Sequence, residues 1–441
     1  MKKIISVLSI ALLLLAISSC GGKSEKNSTV LKVIKEAEGM TLDQLFEKAY
    51  EESNGKVLKG LGNSSRGKTA GETFVEAMKA KYPDYTGKID WSQPKNNTIF
   101  DQLTNDNKNV NPEFSMTLIQ DGAQIKAKMI DTGILHNFVP KEWKESAGAD
   151  MKENGNPLAL QTLSKVFMYN NVEASNNFLN VWDFVKEGQS PLFMGLESEP
   201  IGKNFLLMLT HEKYSKVVKA AYDVLPEADK AYFKPIIDGL EKTAKELGLN
   251  ENGKYALAWI KLFVSQFNMK TDDGPISVDL VKKSSKDQTG LLVYSKLRSI
   301  KETDESSVNN ITVAAYQDGY TGFGGYAYKH YLQVLNNAPL PWTACAFIAY
   351  MVTTKEGFHP WGKDMGGYSS NPAINQDHSM DGYVDEEVNG ETKKINKFPA
   401  KNDRGYDWWT GEGKGGLIVE EPVYCASVTF TVGEWISSLR N

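Results

Sequence analysis

Residues able to do chemistry are scattered along this chain, and none of them completes a catalytic pattern. The turn Gly62-Asn63-Ser64-Ser65-Arg66-Gly67 sets a serine between glycines, but the second glycine stands one position too far for a nucleophile elbow. His211-Glu212 begins the helical zinc-protease pattern, yet Ser215 occupies the place of the second histidine ligand. The histidines His136, His211, His330, His359 and His378 never fall three or four residues apart, so their spacing offers no metal site. Gly319, Gly322, Gly324 and Gly325 lack the dinucleotide fingerprint, and Gly411 to Gly415 lacks the phosphate-loop spacing. Asp377, Ser379, Asp381 and Gly382 follow part of a calcium loop, but its twelfth position is Val388 where a bidentate glutamate is needed. The expectation is a chain with no catalytic residues, no metal ligand set and no cofactor.

A different kind of site is suggested by the tyrosines. Tyr316, Tyr320, Tyr326, Tyr328 and Tyr331 fall within sixteen residues. A tyrosine has an apolar face and a polar tip, so it can stack on a sugar, surround a cation or ligate ferric iron as a phenolate. The stretch Tyr326 to Leu335 reads as a helix, which makes Tyr328 and Tyr331 core or surface. Tyr316 and Tyr320, beside Gln317 at a strand end, are the better ligand candidates.

The 441 residues carry 50 basic and 55 acidic side chains, a net charge of −5. That balance disfavours nucleic acid as a partner, because phosphate binding needs concentrated positive charge. The length is enough for two or three lobes with real cores. Of three cysteines, Cys345 and Cys425 lie in the body of the chain, as a disulfide or as two buried thiols.

Three strand–polar turn–helix units open the body of the chain. Thr41-Leu42-Asp43-Gln44 has capping-box spacing before the stripe Leu42, Leu45, Phe46 and Tyr50. Strands are read at Lys56 to Leu61, Lys88 to Trp91 and Phe114 to Ile119, each followed by an amphipathic helix. Repetition of that unit argues for a parallel sheet with helices on its faces, and ligands then sit beyond the carboxyl ends of the strands. Those ends are Asn63 to Arg66, Ser92 to Asn97, and Gln120-Asp121; all are polar. Further strands are read at Leu163 to Tyr169, Leu291 to Tyr294 and Ile311 to Ala315, and Ala231 to Leu247 reads as helix. Ile260, Phe263, Val264 and Phe267 form the clearest helical stripe, and Trp342 to Met351 is apolar and helical. Beyond Gly366 the chain reads as loop until Phe430 to Leu439.

The amino-terminal stretch adds an address. Lys2 and Lys3 precede an apolar core, Ile4 to Ile17, which is too short to span a bilayer comfortably. Ile17-Ser18-Ser19-Cys20 then resembles the lipobox of bacterial lipoproteins, which implies that Cys20 becomes a lipid-modified first residue anchored in a bilayer. Residues 1–19 are expected to be a signal peptide and 20–40 a lipidated tether.

Taken in order, the lipobox, the strand ending in Gly62 to Arg66, the helix up to Lys81-Tyr82-Pro83 and Asp121-Gly122-Ala123 resemble family 1 extracellular solute-binding proteins. Val166 to Asn170 with Trp182-Asp183, and Ala338-Pro339 to Gly357, continue the likeness. The resemblance implies an α/β, two-lobed type II periplasmic-binding-protein fold. Each lobe would be a mainly parallel sheet flanked by helices, with a ligand cleft between. Lobe 1 is expected at 41–165 plus 310–345, and lobe 2 at 166–309 plus 346–441. Carried over by position, the ligand-binding residues are Asn63, Ser64, Ser65, Arg66, Gln93, Asn97, Gln120 and Asp121 on the first side. Glu197, Ser198, Tyr316, Gln317, Tyr320 and Tyr368 complete the set. The function implied is that of the substrate-binding lipoprotein of an ABC importer, a monomer with no enzymatic activity that closes by hinge motion and delivers its solute to permease subunits. The solute is open among sugar, phosphonate, polyamine, thiamine and ferric iron. A surface-attached glycan hydrolase using carboxylates such as Glu197 and Asp121, or an adhesin or sensor on the same scaffold, are the alternatives.

Overall fold

The structure is a computed structural model describing residues 29–94, 98–173, 177–196, 200–282, 284, 287–297, 307–362, 366–375, 383–396, 403–411 and 414–440. Fourteen strands are named in chain order among these residues. They are β1 (Val57–Gly62), β2 (Lys88–Ser92), β3 (Phe114–Ile119), β4 (Leu135–His136), β5 (Ala159–Asn170), β6 (Leu192–Met194) and β7 (Asn268–Lys270). Then follow β8 (Thr289–Val293), β9 (Ile311–Val313), β10 (Gly325–Leu335), β11 (Gly367–Ser369), β12 (Tyr383–Val388), β13 (Glu391–Asn396) and β14 (Leu417–Val419).

The three opening units behave as their patterns require. Thr41 and Gln44 form a reciprocal capping box at the helix Leu42–Ser53, satisfying two orphan amides. β1 pairs in parallel with β2 and with β3, and apolar faces of the helices Arg66–Lys81 and Thr98–Lys108 cover the sheet. The sheet path runs β2-β1-β3-β10-β5-β8-β6-β7. Parallel pairing returns at its far end, where β6 lies between β8 and β7. At the middle the pairing is antiparallel, as β10 lies between β3 and β5.

That middle corrects the sequence reading. Tyr326 to Leu335 is not a helix but part of β10, whose eleven residues are all buried. Burial on both faces erases the alternation that marks a half-exposed strand, so the aromatic run mimics a core helix. β5, twelve residues long and buried throughout, is its partner. Both strands serve three cores, the third taking Val166, Met168 and Ala327. Leu158 to Leu160 with Tyr331, Leu332 and Val334 belong to the first, and Phe167, Tyr169, Tyr326 and Tyr328 to the second.

The first core also takes in the helix Thr29–Ala37 through Val30, Ile34 and Ala37. This stretch was expected to be tether; its apolar stripe at i, i+3/i+4 and i+7 makes it part of the lobe instead. The helix Pro341–Thr353 lies in the same core over its whole length, so the break expected after 345 does not fall there. The second core is aromatic. Trp259 and Phe263 stack at 4.9 Å, and Phe193, Phe205 and Phe323 meet them edge-on. The reading of one helix from Ala231 to Leu247 resolves into Glu227–Gly239 and Glu241–Glu246. The supposed loop region beyond Gly366 contains β11, the hairpin β12–β13, β14 and three short helices. Cys345 and Cys425 are separate buried thiols. No helix among the described residues is long and apolar enough to cross a membrane.

Trp91 shows how the first turn is shaped. Its ring lies where a Cβ on Gly60, Gly62 or Gly67 would stand, at 2.5, 2.3 and 2.0 Å, and its Nε1 donates to the Ser64 carbonyl at 2.9 Å. Gly67→Ala is therefore expected to cost about 1–3 kcal/mol through overpacking. Urea unfolding of the variant measures this, and an unchanged midpoint would show that the ring is free to move aside.

Candidate functional site

The carboxyl ends of β1, β2 and β3 converge on Asn63. Its side-chain oxygen accepts from the Gln120 amide at 3.2 Å, and its carbonyl accepts from Gln93 Nε2 and Gln120 Nε2, both at 3.3 Å. Arg66 Nη1 leaves this turn to donate to the Trp361 carbonyl at 2.5 Å, while the Ser64 hydroxyl accepts from the Arg66 amide and Ser65 stays exposed. Asn97 lies outside the described residues.

Asp121 takes a different place. It caps the helix Gly122–Gln124 and is buried in a polar knot between the two lobes. Asn204 Nδ2 donates to Asp121 Oδ1 at 2.9 Å and to Glu420 Oε1 at 3.1 Å, bridging two carboxylates with one amide. The Tyr326 hydroxyl donates to Glu420 Oε1 at 3.1 Å and the Tyr331 hydroxyl to Oε2 at 2.8 Å. Burial, with the Asp121 charge added, pushes the Glu420 carboxyl up to about 7, although its three donors pull the other way. Three donors engage both oxygens of the buried Glu420, so the knot joins the lobes through its own side chains. Among the described residues no group of three or more His, Cys, Asp or Glu side chains is placed to hold a metal ion.

An open space lies on the other face of the crossing strands. A cavity of about 450 Å³ is lined there by Asp150, Glu153 and Asn154 before β5, Thr162 within it, Ser369 at the end of β11, and Ser370, Pro372 and Asn375 after it. Its far wall is Arg404 to Asp407. The near wall is tied to the first core, since Ser370 accepts from the buried Trp143 at 3.1 Å. The far wall stands on the core holding Trp409, Tyr316 and Tyr368. Arg404 stacks over Tyr316 at 4.1 Å and Trp408 at 4.7 Å, which orients its guanidinium without an ion pair among the described residues. The Tyr368 hydroxyl donates to Asp403 at 2.6 Å, and the Tyr406 hydroxyl reaches across to Glu153 at 2.7 Å. The buried Lys329 of β10 donates to the Glu153 carbonyl at 2.8 Å. Among the described residues the arrangement offers one cation, three carboxylates and several hydroxyl and amide groups around an open space.

No family model matches the chain, and no curated protein matches it. Solved structures do. Iron-bound HitA from Pseudomonas aeruginosa aligns with a TM-score of 0.55 at 10% identity, over 87% of this chain and 99% of that one. The ferric binding protein from Campylobacter jejuni aligns with 0.54 at 12% identity, over 87% and 99%. The Atu4243–GABA receptor aligns with 0.52 at 10% identity, over 88% and 98%. The fold is that of a two-lobed type II periplasmic binding protein.

Within that fold the sequence candidates divide into separate groups. Asn63, Ser64, Arg66, Gln93 and Gln120 form one hydrogen-bonded surface, and Asp121 is turned into the interlobe knot. Tyr316 and Tyr368 stand behind the far wall of the cavity, both buried, with Tyr316 bonded to Tyr294 at 2.8 Å. Gln317 accepts from Tyr169 at 2.9 Å, and the Tyr320 hydroxyl donates to the Phe323 carbonyl at 2.8 Å, so both are engaged in holding the second lobe. Cys20, Glu197 and Ser198 lie outside the described residues. Sequence reasoning missed Asn204, Glu420 and Arg404. A signal for Glu420 existed: strand Leu417–Val419, acidic turn Glu420-Glu421 and Pro422 opening a helix repeat the unit seen three times earlier.

A carboxyl whose pKa is higher in the folded chain than its ordinary 4.5 holds its proton more tightly when folded. The stability this confers is full below about pH 4.5 and is lost as the pH rises to about 7. Glu420→Gln should flatten that slope and raise stability near pH 8 by about 2–3 kcal/mol, read from urea unfolding at several pH values. A slope identical to that of the parent chain would remove Glu420 as its source.

Proposed function

We propose that the protein is a membrane-tethered substrate-binding protein of an ABC importer, capturing a small polar solute by hinge closure and delivering it to permease subunits. The observation that carries this reading is the cavity of about 450 Å³ whose walls stand on different cores across β5 and β10. A space of that size suits a small molecule, and groups fixed on two lobes can both hold a ligand and report its presence by closing. Solved structures of the same fold include an iron-bound protein and a GABA receptor, which supports a binding role without choosing the solute.

The lipobox at Cys20 supports a tether that keeps a closing receptor beside its membrane partner. Acyl chains contribute about 0.8 kcal/mol per buried methylene, so two or more of them suffice as an anchor with no spanning helix. Cys20→Ala should move the protein from the membrane fraction to the soluble fraction and leave solute affinity unchanged. Retention of the variant in membranes would remove Cys20 as the anchor.

A solute present at about 100 times its dissociation constant should stabilise the chain by about 2.7 kcal/mol, with no turnover. Thermal unfolding against sugars, phosphonates, polyamines, thiamine and ferric iron is the test. A panel in which no compound raises the unfolding temperature would count against a receptor.

A further inference from the structure

Where the first lobe meets the crossing strands, a second set of polar groups is gathered and left incomplete. Gln161 of β5 and His330 of β10 are register partners, and Gln161 Nε2 donates to His330 Nδ1 at 3.0 Å. An imidazole that accepts at Nδ1 carries its proton at Nε2. That Nε2, the Gln161 Oε1 and the Trp361 Nε1 are all buried and have no partner. His330 is 3% exposed, and Gln161 and Trp361 are fully buried. The Trp361 ring stands edge-on to His330, with centroids 6.5 Å apart. Arg66 is brought to the same corner by its bond to the Trp361 carbonyl.

An orphaned buried donor or acceptor keeps its desolvation penalty without a compensating bond, so three around one imidazole are not a neutral feature of the core. Their chemistry is directional. His330 and Trp361 offer two neutral N–H donors, Arg66 adds positive charge, and only Gln161 offers an acceptor. Burial, with the Arg66 charge added, pushes the His330 pKa down to about 3, so the imidazole stays neutral across the physiological range. Arg66 is half-buried and forms the edge of the group nearest solvent.

We infer that Arg66, His330, Trp361 and Gln161 form a subsite for the oxyanion head group of the solute, a carboxylate or phosphonate. The two N–H donors bind its oxygens beside the Arg66 charge, and the Gln161 carbonyl accepts from a hydroxyl or amine on the same solute. This rests on the receptor reading and narrows it to anionic or zwitterionic solutes. The cavity walled by Arg404 would hold a different part of the ligand or a different ligand.

Thermal unfolding and calorimetry of the full chain with inorganic phosphate and with acetate, at matched chloride concentration, test the inference. Glucose and putrescine serve as the neutral and cationic counterparts. His330→Phe and Trp361→Phe each remove an orphaned N–H while keeping an aromatic ring. The expected result is that at least one oxyanion stabilises the parent chain and that each variant binds it at least tenfold more weakly. Ligand-free Trp361→Phe should unfold at the same or a higher temperature, because an unsatisfied donor is gone; His330→Phe also removes the acceptor of Gln161 Nε2, so it is read by its affinity relative to its own ligand-free state. Variants that bind the oxyanion as the parent does would overturn the subsite. So would stabilisation of the parent by glucose or putrescine but by neither oxyanion, an outcome that leaves the receptor reading standing. Stabilisation by none of the four would overturn the oxyanion subsite, and the receptor reading would then be judged on the wider solute panel.

Discussion

Two strands, β5 and β10, hold everything else in register. Every one of their residues is buried, so each backbone amide and carbonyl must find a partner inside the protein. They find most of these in each other over Gly325 to Tyr331, and the rest in β3, β8, β9, β11 and β14 along their outer edges. The two lobes are thus extensions of one ladder. Their independence lies in the side chains, which sort into different cores from one residue to the next.

That constraint accounts for where polar chemistry is concentrated. A strand shared by two lobes cannot be apolar throughout, because its faces meet neither core squarely at the crossing. Lys165, Gln161, Lys329 and His330 occupy those positions, each buried and each bound to a group on another element. Lys165 is held by both oxygens of Asp273 at 2.8 and 2.7 Å, a geometry that offsets desolvation far better than a single contact. Glu420 is the exception on the acidic side. It is buried beside another carboxylate, which disfavours its charged form and raises its pKa.

The sequence was most readable where one physical rule acted alone. Strand, turn and helix at β1 to β3 followed from periodicity, and the polar ends around Asn63 were legible because each strand stopped at amides and hydroxyls. β10 was misread because full burial removes alternation, leaving a tyrosine-rich apolar run with no period of its own. The helix Thr29–Ala37 was passed over because lysines flank its stripe and hide it in a composition count. Glu420 sits in a readable strand–turn–helix unit, but it could not be paired with Asn204 from sequence, since the two stand 216 residues apart. Arg404 was hidden for the same reason: its partners Tyr316 and Trp408 identify it only after folding.

The position of β10 in the ladder also bears on how such a chain is made. The first lobe has β3 on one side of a gap and β5 on the other, and the strand that fills the gap begins only at Gly325. A ribosome or a translocation pore delivers the amino-terminal segment first, so that lobe must wait for its keystone while more than half of the polypeptide is still arriving. Long-range closure of this kind is slow compared with local helix formation. Delay is then built into the topology: the ladder of the first lobe closes only after Leu335, about three-quarters of the way along the chain.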